Sequence, residues 1–190
     1  MKTKLTLISA AIMLCLSINA QTTGNCVTDA ILNGYSPRNF NTVPVTDQQL
    51  ETILKCGIKA PSARNNQPWR FTVIREEADM KMIINNVVDG NVLIIVSGAE
   101  TNQTGVTVDF DCALATHSMF VAAEGMGLGA RIYGGPVSSV VEKKKEFQVP
   151  DGFKPVIILR IGNIDKSVDA VSAATSRKNY EELVNFSNHK

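Results

Sequence analysis

Apolar residues recur along this chain with periods that alternate between helical and extended. Thr46 and Gln49, three positions apart, precede Leu50, Ile53, Leu54 and Ile58 at helical spacing, so a capped helix is predicted from Thr46 to Ala60. Pro61 disfavours helical geometry at Ala60, and the chain breaks into the loop Pro61-Ser62-Ala63-Arg64-Asn65-Asn66-Gln67-Pro68. Trp69 to Ile74 has the aromatic and β-branched content of a strand. Met80, Ile83, Ile84 and Val87 predict an amphipathic helix from Glu77 to Val88, and Asp89-Gly90 supplies a turn before the buried strand Val92 to Val96.

In the second half, Phe110, Ala113, Leu114, His117 and Val121 trace one face of a helix that starts at Asp109, and this face is expected to lie in the core. Gly125, Gly127 and Gly129 close that helix. A short extended segment over Ala130 to Tyr133 ends in Gly134-Gly135-Pro136, a helix is expected over Ser138 to Glu146, and Pro155 to Gly162 reads as the last strand. A short helix near Asn179 to Val184 follows. The pattern is helix-rich with three or four strands, without an internal repeat or a dividing linker.

The first twenty residues differ in kind. Lys2 and Lys4 precede the twelve-residue run Leu5 to Leu16, and Ala20 precedes Gln21 as a small residue at a cleavage site would. The run is shorter than the roughly 20 residues that span a bilayer, so the segment reads as a secretory signal over 1–20, with one domain over 21–190 and no stable membrane insertion. Two of the 19 basic residues fall in that segment, leaving 17 against 18 acids, a net charge of −1 that gives no electrostatic footprint for nucleic acid.

Three cysteines remain after such cleavage, Cys26, Cys56 and Cys112, with neither C-x-x-C nor a histidine cluster, so zinc and thioredoxin-like chemistry lack support. Cys56 and Cys112 read as small core residues on helix faces. Phosphate-loop, serine-hydrolase and zinc-protease motifs are also missing, and the glycines at 125, 127 and 129 lack dinucleotide-binding spacing. His189 is near the terminus and His117 reads as a core residue, so no side chain is assigned as a catalytic acid or base and none as a metal ligand.

The loop between Pro61 and Pro68 carries the most chemistry. Ser62, Arg64, Asn65, Asn66 and Gln67 offer amide and hydroxyl groups on a stiff turn between two core elements, as recognition of a hydrogen-bonding ring such as a flavin pyrimidine requires. The same side chains could equally satisfy the turn's own backbone.

Ala60-Pro61-Ser62-Ala63-Arg64-Asn65-Asn66-Gln67-Pro68-Trp69-Arg70-Phe71 resembles the A-P-S-x-x-N-x-Q-P-W-x-F signature of the nitroreductase family. Ser36-Pro37-Arg38-Asn39-Phe40 is similar to that family's S-x-R-x-F segment, Asp109 to Gly129 to its long helix with a G-L-G ending, and Ser176-Arg177 to its late basic residue. The resemblance implies an α+β fold, a central, mainly antiparallel sheet flanked by helices, and a homodimer with FMN sites built from both subunits. It implies that Ser36 and Arg38 approach the flavin and its ribityl phosphate, that Asn65, with Ser62 and Gln67 on the same loop, meets the ring, that Gly134 and Gly135 face it through backbone, and that Arg177 meets the phosphate. One departure stands out: Gly34 occupies a position where members commonly carry a further arginine.

The activity implied is two-electron reduction of a nitroaromatic or quinone-type acceptor, a small aromatic molecule, through flavin N5, with NAD(P)H or another donor as reductant. An exported protein would meet little NAD(P)H outside the cytoplasm, so a non-catalytic flavin-binding protein is the alternative, and an exported binding protein with a purely structural loop is a third. Export to a periplasmic compartment predicts that protein recovered from its native host begins near Gln21; intact Met1 on a cytoplasmic species, found by N-terminal mass spectrometry, would contradict it.

Overall fold

The computed structural model describes residues 23–100, 108–169 and 176–187. The expected signal segment lies outside these residues. Helix α1, Cys26–Asn33, opens on Asn25, whose side chain accepts from the N–H groups of Val27 and Thr28. It has no buried residue and no counterpart in the elements expected from the sequence. Helix α2, Asp47–Ile58, has the expected reciprocal cap: Gln49 N–H donates to Thr46 Oγ1 at 3.2 Å and Thr46 N–H to Gln49 Oε1 at 3.0 Å.

Strand β1, Trp69–Ile74, agrees with its expectation. Helix α3, Glu77–Lys81, is shorter than the helix expected over Glu77 to Val88. Past Lys81 the chain tightens into turns, with Ile83 N–H on the Met80 carbonyl at 3.0 Å and the Asn86 carbonyl taken by the Arg160 guanidinium at 3.0 Å. Met80, Ile83, Ile84 and Val87 still point inward.

Strand β2, Val92–Ala99, helix α4, Val108–Gly125, strand β3, Gly129–Tyr133, helix α5, Val137–Glu142, strand β4, Phe153–Gly162, and helix α6, Tyr180–Leu183, complete the order. Helix α5 stops short of the expected Glu146 because Lys143 leaves helical geometry. Gly127 ends the α4 turn at φ +75°, a left-handed conformation that suits glycine, and Leu128 N–H reaches back to the Ala123 carbonyl at 3.0 Å.

The four strands form one antiparallel sheet in the order β1-β2-β4-β3. Alternation sorts its side chains into two cores. Val92, Ile94, Val96, Leu159 and Ile161 pack with α2 and α4, whereas Leu93, Ile95 and Ile158 pack with Met80, Ile83, Val140 and Phe147 from the other side. The molecule is therefore α+β, with helices on both faces of an antiparallel sheet. A register shift between Val96 and Ser97 falls opposite Pro155, which has no N–H to give to the ladder.

The expected core face of α4 is reversed. Phe110, Ala113, Leu114 and His117 are exposed, with His117 stacked on Phe120, while Asp111, Cys112, Ala115, Thr116, Met119 and Ala123 face the sheet. His117 is thus not a core histidine. Cys112 is buried as expected, Cys56 is half-buried, and Cys26 is exposed; all three are free thiols. Burial pushes the Cys112 thiol up to about 12, with Asp109 and Asp111 adding to the effect, so it stays neutral.

Arg160 is the one buried cation among the described residues. It is fully buried on β4, and its Nε donates to Asn91 Oδ1 at 2.9 Å, Nη1 to Asn86 Oδ1 at 3.1 Å and Nη2 to the Asn86 carbonyl. Its guanidinium carbon stands 4.1 Å from the Phe40 ring centroid, so both the connection before β2 and the segment after α1 are fastened to the sheet. Arg160→Ala is expected to lower stability by about 3 kcal/mol, or Tm by roughly 6–12 °C, because it orphans these acceptors. Arg160→Lys should recover less than half, since an ammonium cannot reproduce the fork. Thermal denaturation checks both, and a wild-type Tm in the alanine variant would refute the fastening role.

Candidate functional site

The loop after α2 folds on itself. Ser62 Oγ accepts the Gln67 N–H at 3.0 Å, and Gln67 Nε2 donates to the Asn65 carbonyl and side-chain oxygens at 3.2 and 3.3 Å. A short 3-10 turn spans Ala63–Asn65. Arg64, Asn65 and Gln67 all take left-handed backbone, at φ 54°, 56° and 47°. Asparagine tolerates that region, but for arginine and glutamine it costs on the order of 1 kcal/mol each. The cost is met by over-determination: besides its internal bonds, the loop is tied down by Ala63 N–H on Asp111 Oδ1 of α4 at 3.0 Å. Arg64, Asn65 and Gln67 remain exposed, so a strained, fastened loop presents their side chains outward.

Ser36 and Arg38 lie elsewhere, on the segment that follows α1. Arg131 Nη1 donates to the Pro37 carbonyl at 3.4 Å, and Asp169 Oδ1 accepts from Arg38 N–H at 2.9 Å, Asn39 N–H at 3.1 Å and Asn39 Nδ2 at 3.2 Å. Both Ser36 and Arg38 are exposed. Gly134 and Gly135 follow β3, exposed, and a Cβ added to either would meet nothing within 4 Å. Their backbone is open to an approaching group. Arg177 sits in the exposed 176–187 segment.

The structure thus joins Ser62, Asn65 and Gln67 in one cluster and holds Ser36 and Arg38 in another. Asp111 touches the first cluster and Glu124 approaches Gly34 beside the second. Both acids are on α4, thirteen positions apart, which is about 20 Å along a helix. The two clusters are thus fastened near opposite ends of α4.

Gly34 has a local reason. A Cβ there would lie 2.7 Å from the Ala30 carbonyl oxygen of α1 and 3.8 Å from the Glu124 carboxylate, so an arginine fits only if the main chain shifts. Glu124 consequently lacks a cation at this position; Oε1 accepts the Ala130 N–H at 3.2 Å. Burial pushes its carboxyl up from 4.5 to about 7, against the opposing effect of that N–H. Tyr35, next along the chain, is raised to about 12 by burial and by the nearby Asp169 and Glu124. Glu124, Asp111 and Asp169 carry no sequence motif, and only their contacts reveal them.

A model of the nitroreductase family matches residues 31–91, a stretch that contains Ser36, Arg38, Ser62, Asn65 and Gln67. An FMN complex from Desulfovibrio desulfuricans, of a provisionally named nitroreductase, superposes with a TM-score of 0.73 at 26% identity, covering 87% of this chain and 99% of that one. The chain has the nitroreductase fold. It is also similar to a provisionally named NADH dehydrogenase/NAD(P)H nitroreductase of Archaeoglobus fulgidus, 32% identical over 103 residues, which are 50% of this chain and 59% of that protein. The NADPH-flavin oxidoreductase of Vibrio harveyi is 26% identical over 164 residues, 75% of this chain and 68% of that protein. The chain therefore spans less than two thirds of the Archaeoglobus relative that it matches. The nitroreductase fold accounts for the antiparallel sheet and the flanking helices.

The sign of the Glu124 effect follows from its protonation. The folded chain holds this proton to higher pH than the unfolded chain does, so the associated stability is complete below about 4.5 and is lost as pH rises through about 7. Glu124→Gln should remove that loss, raising stability relative to wild type by on the order of 1–3 kcal/mol at pH 8 and little at pH 4, with partial exposure keeping the gain modest. Parallel Tm profiles for the two proteins across this range would show that Glu124 titrates normally.

Proposed function

We propose that this protein is an FMN-dependent oxidoreductase that reduces nitroaromatic or quinone-type acceptors with NAD(P)H or another donor. The observation that carries the reading is the exposed left-handed loop at Arg64, Asn65 and Gln67, held by Asp111 and Ser62 and matched by the nitroreductase family model. Ser62, Asn65 and Gln67 satisfy part of the loop's own hydrogen bonding, and the capacity they keep lies on a strained, exposed turn, as ring recognition requires.

The residues present suit FMN. Arg38 and Arg177 are exposed and form no ion pair with a described residue, so both guanidiniums are available to a phosphate or to the N1 and C2=O side of a flavin. Gly134 and Gly135 leave open space beside their backbone for a flat ring. Asn65, Ser62 and Gln67 offer amide and hydroxyl groups to the pyrimidine edge. When bound, FMN would supply the hydride-level redox chemistry; the protein's part is to place the ring, stabilise its negative charge and shape the space above it. No side chain is assigned a proton-transfer role.

Two subunits would complete this site. The outward face of α4 exposes Phe110 by 66% and Leu114 by 46%, and α1 exposes Val27, Ile31 and Leu32 by half or more. A two-fold pairing of these apolar faces would set the Ser62–Gln67 loop of one subunit beside Ser36 and Arg38 of the other, bridging the separation that α4 imposes. The N-terminal segment supports a periplasmic location, where the donor would be something other than the cytoplasmic NAD(P)H pool. Gly34 favours the second reading, a flavin-binding protein without turnover, since one charged contact to the cofactor is missing.

An absorbance spectrum of purified protein, with FMN titration and light scattering, tests these statements together. The expected result is a yellow dimer whose FMN affinity falls about tenfold or more in Asn65→Ala and in Arg177→Ala without a loss of Tm in the ligand-free state. A protein that takes up no FMN would end both flavin readings, a tightly loaded monomer would end the shared site, and a yellow protein that no donor reduces would favour the second reading.

A further inference from the structure

The Ser36–Asn39 segment is fixed by a residue about 130 positions away. Asp169 is only 6% exposed, and its Oδ1 gathers three N–H groups, from the backbones of Arg38 and Asn39 and from the Asn39 side chain, at 2.9, 3.1 and 3.2 Å. Its other oxygen, Oδ2, is buried without a hydrogen-bond partner among the described residues. The Tyr35 hydroxyl stands beside the carboxylate, close enough to perturb both groups, but without a hydrogen bond of good geometry. Burying a carboxylate is costly, and a single oxygen satisfied three times over is how the cost is offset. Burial raises the Asp169 carboxyl, yet the N–H groups of Arg38 and Asn39 and the Tyr35 hydroxyl outweigh it and hold the group below its ordinary range, so it is charged at neutral pH.

No other side-chain bond to the 36–39 backbone nitrogens is present among the described residues, and the Arg38 side chain itself is exposed. The direction in which that guanidinium leaves the main chain is therefore set by the peptide planes that Asp169 grips. We propose that Asp169 is the positioning residue of the proposed flavin site, acting through Arg38: its carboxylate fixes the backbone from which the guanidinium reaches FMN. This rests on the flavin reading above.

A double-mutant cycle with Arg38 separates positioning from mere support of the fold. In the wild-type background, Asp169→Ala should weaken FMN binding about tenfold, whereas Asp169→Asn, which retains an acceptor at Oδ1, should lose no more than about threefold. In an Arg38→Ala background, Asp169→Ala should have almost no further effect, because the group it aims is gone. The second readout needs no flavin: amide hydrogen exchange at Arg38 and Asn39 should be slow in the ligand-free wild type, fast in Asp169→Ala and slow again in Asp169→Asn. Equal tenfold losses in both backgrounds, or amide exchange unchanged by Asp169→Ala, would overturn the positioning role while leaving the flavin reading intact. A wild-type protein with protected Arg38 and Asn39 amides but no FMN uptake would overturn the flavin reading itself, and the role with it.

Discussion

Helix α4 sets the distances on which the rest of the molecule depends. Its sheet-facing side is built from Cys112, Ala115, Thr116, Met119 and Ala123, short or flexible residues that let an 18-residue helix lie along the buried strands β2 and β4. Near its start Asp111 grips the loop that carries Asn65, and near its end Glu124 faces the segment that carries Arg38. The anchoring points of the two polar clusters are thus about 20 Å apart along the helix. In the dimer proposed above, a ligand that needs both clusters would reach them across two copies of this helix, with the apolar residues on its outer side facing each other.

The polar groups that hold the core connections and the candidate-site segments all work over long sequence separations. Arg160 fastens Asn86, Asn91 and Phe40 to the sheet, Asp111 fastens Ala63, and Asp169 fastens Arg38 and Asn39. Each is a buried charged side chain satisfied chiefly by backbone and amide groups, without an ion pair among the described residues. In a low-dielectric interior the loss of such a hydrogen bond is costly, so these groups favour one loop conformation where an apolar contact would allow several.

Local patterns in the sequence were enough to place α2, β1, β2 and β4, because a capping box, β-branched runs and a proline boundary each act over a few residues. The sidedness of α4 was not readable in the same way. Phe110 and Leu114 are the bulkier apolar residues and suggested the core face, while the true core face is made of small ones; periodicity identifies a stripe but not which of two stripes meets the sheet. Helix α1 buries nothing, so no core-facing stripe marks it in the sequence. The continuous apolar spacing from Met80 to Val87 hid a helix that gives way to turns, since inward-facing side chains persist after the hydrogen-bond pattern changes. Of the candidate site, the motif residues on the 36–38 and 61–68 segments stand out in the sequence, and the carboxylates that fasten them do not, because a contact across 48 or 130 positions leaves no local trace.

The three left-handed residues at 64, 65 and 67 also restrict how this loop can vary over time. At such positions glycine and asparagine are accommodated easily, and β-branched side chains hardly at all, whatever the ligand outside requires. The alphabet available to the loop is therefore filtered first by its backbone and only afterwards by chemistry. A lineage that changed its small-molecule partner would be expected to do so through residues around the loop, leaving the loop itself as a fixed frame on which new specificities are assembled.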